Sequence, residues 1–480
     1  MNRSLKDTII VFLPTFATGV LTFLTGIWTR KVLAPEEFGL WLTLQLIMLY
    51  GAFIQLGLIN GIHREIPRLL GQGKDEEAHS LREITHTWLT ILLIISCFIG
   101  IIVMFIDIDF RTRVLISLSI ITIPIQQFLI FGRILYNTIS SFKKVANIQL
   151  IFGPVQSILM IFLVYILGIY GMFLSVLFSN LIGSIYAYLT FNERIKFRFN
   201  LTLSKELIKF GFPLMLVSFG YLLLISLDRM FISVMLGKEA LGYYSLALLV
   251  YQTLIMFPQI LEQVLYPKIN FEFGKQNDQQ KILKMVENPS KLIGIFSPLL
   301  LGITWILLPD FIRIFLPNYS NGIGAAKFLL FGIYFLSVAG MYTTYLKIIN
   351  KQNIYLMVLF GSLVLNGLLD YVFILWGLDI LGVSLATSIT YGLYTIVILI
   401  ISYKYMEINT SDSFGSIITL FVPIITMGAL LGFLHLFNLE LYLNLVIFMV
   451  MYTFLMLASM KKIIFDSLIK TRIYKKLVSK

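Results

Sequence analysis

The sequence predicts an all-α polytopic membrane protein with about fourteen transmembrane helices. They are expected as two six-helix lobes related by a pseudo-twofold along the membrane normal, plus two C-terminal helices. Three observations predict it. Of 480 residues, 58% are hydrophobic and only 13% charged, with a mean hydropathy of +0.89, whereas soluble domains carry about 25% charged residues. Water cannot solvate such a chain, which excludes both a soluble enzyme and a disordered protein. The apolar residues fall in runs of about 20, the length of a bilayer-spanning helix. The Lys and Arg residues are distributed unevenly between alternate connections, the pattern that membrane topology imposes.

The first six runs lie near 8–29, 39–62, 84–106, 114–141, 145–168 and 171–191. The next six lie near 210–236, 241–267, 291–308, 323–349, 353–376 and 380–403, and two more follow near 414–436 and 441–460. The first is longer than a signal-peptide core and no small-residue cleavage pattern follows it, so it is read as retained. Gly168 to Gly171 alone separate the fifth and sixth runs, and Pro124 sits inside the fourth, so thirteen and fifteen are the neighbouring counts. With the N-terminus inside, most of the 37 Lys and Arg collect on internal segments, including Lys143 and Lys144, the stretch Arg194 to Lys209, and Lys461 to Lys480. External segments hold Arg30, Lys31, Arg111, Arg113, Lys238, Arg313 and Lys327, and only Arg133 and Arg229 remain within spans. Shifting the count by one helix would scramble this alternation, so both termini are expected in the cytoplasm.

The net charge of +12 therefore reports topology, and no basic domain exists to hold a nucleic acid. The single cysteine, Cys97, excludes an intramolecular disulfide. No external connection is long enough to fold a catalytic domain. The longest, near 309–322, is expected as a short interfacial turn, which argues against a membrane glycosyltransferase or polymerase. The polar linkers Gly73–Ile84 and Gly274–Met285, with spaced apolar residues, are expected to lie as short helices on the inner surface. Gly57-x-x-x-Gly61 and Gly428-x-x-x-Gly432 read as helix-packing signals.

The chain also echoes itself. Leu33-Ala-Pro35-Glu36-Glu-Phe-Gly39-Leu-Trp41 aligns with Leu236-Gly-Lys238-Glu239-Ala-Leu-Gly242-Tyr-Tyr244 at a shift of 203, and Gly73-Lys74 aligns with Gly274-Lys275 at a shift of 201. Both echoes fall at equivalent places, after the first and second helix of each half. The expected divisions are an N-lobe over 1–200, a C-lobe over 201–405, two further helices over 406–465 and a basic cytoplasmic tail over 466–480. Parallel halves of this kind place a site between them.

Charged residues at membrane depth are the candidate site. A charge near a helix centre costs about 2.5–3.5 kcal/mol on insertion scales and usually faces a cavity. Arg133 shares a helical face with Gln126 and Asn137, which makes a polar stripe; snorkelling to the inner headgroups is the structural alternative. Arg229 shares a face with Ser218, Ser226 and Ser233, while its neighbour Asp228 points elsewhere, so the pair serves two networks or a packing salt bridge. Helix 1 carries Thr15, Thr18, Thr22, Thr25 and Thr29 on one side, suited either to a sugar-lined passage or to helix packing and self-bonding. Arg30 and Arg64 stand at helix ends as further candidates for substrate or as interfacial anchors. Converging arginines would make a cationic cavity, and guanidinium binds phosphate oxygens in bidentate fashion. The intramembrane carboxylates Asp228, Asp370 and Glu262 are candidate proton or sodium sites, or else ion-pair partners. No ATP-binding loop is present, the four histidines lack metal-ligand spacing, and neither a cofactor nor a resident metal is expected.

Phe12-Leu-Pro14, Thr29-Arg30-Lys31-Val-Leu33-Ala-Pro35-Glu36-Glu-Phe38-Gly39, Gly57-Leu-Ile-Asn-Gly61-Ile-His63-Arg64-Glu-Ile-Pro67 and the turn Leu316-Pro317-Asn318-Tyr319 together resemble the polysaccharide transporter family, the O-antigen-type flippases. That family belongs to the superfamily of multidrug, oligosaccharidyl-lipid and polysaccharide exporters. The resemblance implies a V-shaped transporter of the bacterial inner membrane. It implies a cargo of undecaprenyl-diphosphate-linked oligosaccharide, turned from the cytoplasmic to the outer leaflet by alternating access for O-antigen, capsule or exopolysaccharide export. It also implies membrane lipids, a polysaccharide polymerase and chain-length machinery as partners. Arg30 matches the arginine that precedes the family's Leu-x-Pro-Glu-x-Phe-Gly turn. Relatives handle a lipid-linked peptidoglycan precursor or organic cations, so the family does not fix the substrate.

Overall fold

The computed structural model describes residues 3–139, 141–191, 195–274, 279–437 and 440–457, and every regular element among them is helical. The expected basic tail at 466–480 and Lys275 of the second echo lie outside these residues. Among the described residues, 11 helices are long and apolar enough to cross a membrane, with the shorter apolar helix Leu441–Leu457 beside them. The chain is a multi-pass membrane protein.

It forms two compact units, Met1–Ser245 and Leu246–Lys480. The first holds α1 (Arg3–Val32), α2 (Pro35–Gly51), α3 (Leu58–Gly71), α4 (Asp75–Val103), α5 (Phe110–Thr138), α6 (Phe142–Leu167), α7 (Ile169–Leu189), α8 (Leu201–Leu224), α9 (Leu227–Phe231) and a π turn, Ile232–Leu236. Helix α10 (Gly237–Gly274) begins in the first unit and ends in the second. There follow α11 (Gln279–Phe315), a 3-10 turn (Pro317–Gly322), α12 (Ile323–Ile348), α13 (Gln352–Leu375), α14 (Asp379–Tyr405), α15 (Thr410–His435) and α16 (Leu441–Leu457).

Pro124 lies inside α5 without interrupting it, because at membrane depth neighbouring groups can satisfy the carbonyl that a proline frees. The fourth predicted run is thus one helix. At the other end of α5, Asp109 caps the first turn by accepting from the Thr112 N–H at 2.8 Å, and this bond holds its carboxyl below the usual carboxylate range. The fifth and sixth runs are separate helices, since Gly168, at φ 55° and ψ −132°, turns α6 into α7 within one residue.

Two predicted runs are broken instead. The run 39–62 divides into α2 and α3, with Leu56 and Gly57 at positive φ, and the run 210–236 divides at Ile225–Ser226 into α8, α9 and the π turn. Hydropathy is blind to both breaks, because the residues around them are as apolar as those in the helices. The linkers expected as separate surface helices also differ. Asp75, Glu76 and Glu77 stabilise the N-terminal end of the helix dipole, so most of Gly73–Ile84 becomes the opening of α4. Helix α11 likewise runs unbroken from Gln279. The 309–322 stretch continues α11 to Phe315 before the 3-10 turn, which buries Tyr319.

Helix α3 approaches α8 at Gly57, whose φ of 89° disfavours any side chain and whose absent Cβ would lie 2.6 Å from the Gly211 carbonyl oxygen. Gly61, one turn on, packs against Leu207, whereas a Cβ on Gly428 would meet only the Phe331 ring, at 3.7 Å, and one on Gly432 would have nothing within 4 Å among the described residues. The packing signal on α3 is thus realised by close backbone approach, and the one on α15 only by an ordinary contact at Gly428. The self-echo has a direct structural meaning. A Cβ on Gly39 would overlap the Lys238 carbonyl, and one on Gly242 would overlap the Pro35 carbonyl. At a shift of 203, Gly39 corresponds to Gly242 and Pro35 to Lys238, so these are one contact seen from its two sides. Such reciprocity is the mark of a local twofold. Ser233, the counterpart of Arg30, bonds Thr43 at 2.9 Å, one residue beyond Leu42, the counterpart of the Ser245 that Arg30 bonds.

In the second unit, hydroxyls clamp α12 to α14 at heptad intervals. Ser388 and Thr395 donate to the Phe328 and Phe335 carbonyls, both at 2.9 Å, and the Tyr342 and Tyr403 hydroxyls meet at 2.8 Å. Helix α16 packs Phe448 against Gly302 of α11, and the Tyr452 hydroxyl donates to the Ile295 carbonyl at 2.8 Å. Replacing Gly39 or Gly242 with valine should destabilise the fold by at least the ~1–3 kcal/mol of ordinary overpacking, since the obstructing atoms are backbone. Thermal unfolding in detergent should show a lowered midpoint for both variants and an unchanged one for Gly432→Val.

Candidate functional site

Arg133 lies on α5 about 7 Å along the axis from its C-terminal end, closer to the membrane boundary than to the helix centre. It is half-buried, as are Gln126 and Asn137 on the same face, while Gln127, Leu129, Leu135 and Tyr136 around them are buried. The guanidinium lies 5.0 Å from the Phe152 ring of α6. Its Nε is buried without a hydrogen-bond partner, and it pairs with no carboxylate among the described residues. The predicted stripe is therefore partly accessible, and its charge is not neutralised by the chain.

The other predicted residues occupy different situations. Arg229 and Asp228 are both buried on α9 and diverge as expected. Asp228 accepts from the Tyr244 hydroxyl at 2.6 Å and from the Arg229 backbone N–H at 2.7 Å. The Arg229 guanidinium turns toward α2 and reaches the Gln45 side-chain oxygen and the Ile225 carbonyl only at 3.5 Å each, and its Nε has no partner among the described residues. Tyr50 bonds Ser226 at 2.9 Å beside this group. The helix break at Ser226 removes Ser218 from the predicted serine face; Ser218 bonds the Leu214 carbonyl of its own helix.

Arg30 is saturated. Its Nε donates to Ser245 Oγ at 2.9 Å, its terminal nitrogens donate to the Ser245 and Gly26 carbonyls at 2.8 Å, and its plane lies 4.1 Å from the Phe38 ring. Arg64 is exposed on α3. The threonine stripe of α1 turns its hydroxyls onto its own backbone, Thr18 to Pro14, Thr22 to Thr18, Thr25 to Leu21 and Thr29 to Gly26. Thr18 also packs its methyl against Gly153 of α6. The stripe serves helix packing.

In the second unit Glu262 rests its carboxylate against Gly340 of α12, within electrostatic reach of Lys347 on the same helix. Asp370 is buried on α13, where the Asn366 amide donates to it at 2.6 Å. The Asn366 side-chain oxygen and the hydroxyl oxygens of Thr387 and Thr390, on the adjacent α14, are buried without partners among the described residues. The structure thus gathers Gln126, Arg133 and Asn137 on one face and puts Asp228 beside Arg229, while Arg30 bonds Ser245, next to the Tyr244 that bonds Asp228, and Arg64 is exposed on α3. Sequence reasoning missed Gln45, Tyr50, Tyr244, Lys347, Asn366, Thr387 and Thr390. Only Asn366 carried a readable signal, an amide four residues before a buried aspartate on one helical face.

The fold is the one seen in solved transporters of the multidrug, oligosaccharidyl-lipid and polysaccharide exporter superfamily. The lipid II flippase MurJ, in an inward closed conformation, is similar over 95% of this chain and 100% of its own, at 15% identity and a TM-score of 0.73. A MATE transporter in complex with MaL6 is similar over 85% and 97%, at 15% identity and 0.63. A superfamily member from Pyrococcus furiosus, described by the reverse polarity of its binding pocket, is similar over 85% and 96%, at 15% identity and 0.61. The chain belongs to the polysaccharide biosynthesis protein family, whose profile matches residues 30–318. No curated protein matches the sequence.

The saturation of Arg30 makes it a structural tie between α1 and α10. A double-mutant cycle of Arg30→Gln and Ser245→Ala should return a coupling of about 1.5–3 kcal/mol, the range for hydrogen bonds to a charged group, read from thermal or denaturant unfolding.

Proposed function

We propose that the protein is a secondary transporter and not an enzyme. It turns undecaprenyl-diphosphate-linked oligosaccharide from the cytoplasmic to the outer leaflet by alternating access, for export of O-antigen, capsule or exopolysaccharide. It works in the bacterial cytoplasmic membrane with both termini inside, between the enzymes that build the lipid-linked unit and the polymerase and chain-length machinery that consume it. The observation that carries this reading is Arg133, a half-buried arginine inside a span with no carboxylate partner among the described residues. A visiting diphosphate would give this unpaired guanidinium bidentate, charge-assisted bonds. The amides of Gln126 and Asn137 on the same face suit diphosphate oxygens and sugar hydroxyls. An exporter of cations would instead need a carboxylate at this position. Arg64, exposed at the end expected inside, meets the diphosphate first; Arg229 offers a second contact; Arg30 holds the turn that the others depend on.

Membership of a polysaccharide biosynthesis family supports the cargo. The likeness to a lipid II flippase over nearly the whole chain favours one alternative, a lipid-linked peptidoglycan precursor, which has the same diphosphate. For coupling, Asp370, to which the Asn366 amide donates, and the side-chain oxygens of Asn366, Thr387 and Thr390 that lack partners among the described residues offer oxygens suited to a proton or a sodium ion, hard cations that take oxygen ligands. Glu262 near Lys347 is a second coupling candidate. Asp228, bonded by Tyr244, is the third.

Proteoliposomes loaded with a fluorescent undecaprenyl-diphosphate sugar should show flipping by the wild type. Arg133→Ala should slow it on the order of ten- to a hundredfold, the worth of a charge-assisted contact, with partial rescue by Arg133→Lys. Full activity in both Arg133→Ala and Arg229→Ala would remove the diphosphate argument. A lipid II arm that outcompetes every oligosaccharide carrier would select the alternative cargo. Asp370→Asn should abolish the dependence of flipping on an imposed ion gradient while leaving cargo binding intact.

A further inference from the structure

An apolar groove of about 290 Å3 runs between α4, α5 and α7 of the first unit, away from the arginine stripe. Leu93, Ile125, Leu181 and Ile185 line its length, and Phe191 and Ile195 close one end. From Leu181 to Leu189, the last residue of α7, it covers about 12 Å of helix rise. Its floor exists because Gly132 lets α5 approach α7; a Cβ there would sit 2.6 Å from that of Ala187. The groove opens sideways, since Ile185, Tyr188 and Leu189 on its rim are 49%, 52% and 76% exposed.

The closed end has a different chemistry. His86 of α4 stacks on Tyr188 at 6.1 Å and meets the edges of Phe128 and Phe197 at 5.7 and 5.3 Å. Its Nδ1 is buried with no partner among the described residues. One ammonium group and a second lysine of the adjoining connection belong to the same end. Lys144 donates to the Thr190 carbonyl at 3.1 Å, which leaves it further donors, and exposed Lys196 follows Ile195 directly. The connection that carries Lys196 is tied to α4, with the Arg198 N–H donating to Thr87 at 2.9 Å and its guanidinium to Ser80 at 2.7 Å.

A one-chain apolar channel that ends in rings and cations is the complement of an amphiphile with an anionic head. We propose that this groove binds one acyl chain of an anionic phospholipid from the cytoplasmic leaflet, with Lys144 and Lys196 holding its phosphate. The length selects this occupant: about 12 Å lies within the ~15 Å of one leaflet, half of the ~30 Å hydrocarbon core, and so suits one acyl chain, whereas a polyprenyl chain of eleven isoprene units is several times too long. The site does not depend on the transported cargo.

Native mass spectrometry of the full chain, released from nanodiscs of phosphatidylglycerol or phosphatidylcholine, tests it. The wild type should retain one phosphatidylglycerol in preference to phosphatidylcholine. Ile185→Trp, a substitution on the exposed rim that fills the groove, should lose the retained lipid, while Leu368→Trp on the exposed face of α13 should keep it. Lys144→Gln with Lys196→Gln should still retain a lipid but lower the anionic preference on the order of tenfold, the worth of one charge-assisted contact. An unchanged adduct in Ile185→Trp, an unchanged preference in the lysine variant, or displacement of the adduct by equimolar undecaprenyl phosphate would each overturn the proposal.

Discussion

Hydrocarbon cannot solvate a polar group, so each one at membrane depth must find its partner in the chain, in water held by the chain, or in a visiting molecule. That constraint sorts the polar residues of this protein. Most are satisfied internally: the α1 threonines bond their own helix, the tyrosines and serines of α12 and α14 clamp those helices together, and Arg30 is saturated by Ser245, Gly26 and Phe38. A smaller set is not. Arg133, and the oxygens of Asn366, Thr387 and Thr390, lack partners among the described residues. Structure uses the first set, and function is sought in the second.

The backbone obeys the same rule. Where the predicted spans break, at Leu56–Gly57 and at Ile225–Ser226, the irregular segment is held by close helix contact or by side chains. Gly57 lies against Gly211, and Ser226 is bonded by Tyr50. The second break leads directly into Asp228 and Arg229, so the charged pair sits where the helix is interrupted. The reciprocal contact of Gly39 with Lys238 and Gly242 with Pro35 joins the two copies of the echoed turn backbone to backbone, with no side chain between them to yield.

Much of this was legible beforehand, because the signals concerned are carried by residue type alone. Apolar runs marked the helices, and the Leu33–Trp41 echo marked a contact that the structure makes reciprocal. Family resemblance resided in short turns such as Pro35–Gly39, which fall within the matched region. The helix breaks were not legible, since Leu56 and Ile225 are as hydrophobic as any span residue. Nor was the difference between Arg30 and Arg133. The sequence places Arg30 at a helix end and Arg133 within a span, but only the position of Ser245, 215 residues away along the chain, shows that Arg30 is bonded within the protein.

The central claim is that Arg133 is matched by a mobile diphosphate. Equilibrium binding of undecaprenyl diphosphate and of uncharged undecaprenol, each to purified wild type and to Arg133→Gln, tests it most directly. The account predicts a preference of the wild type for the diphosphate on the order of tenfold or more, with little left in the variant and similar undecaprenol binding in both. An equal diphosphate preference in the two proteins would contradict it.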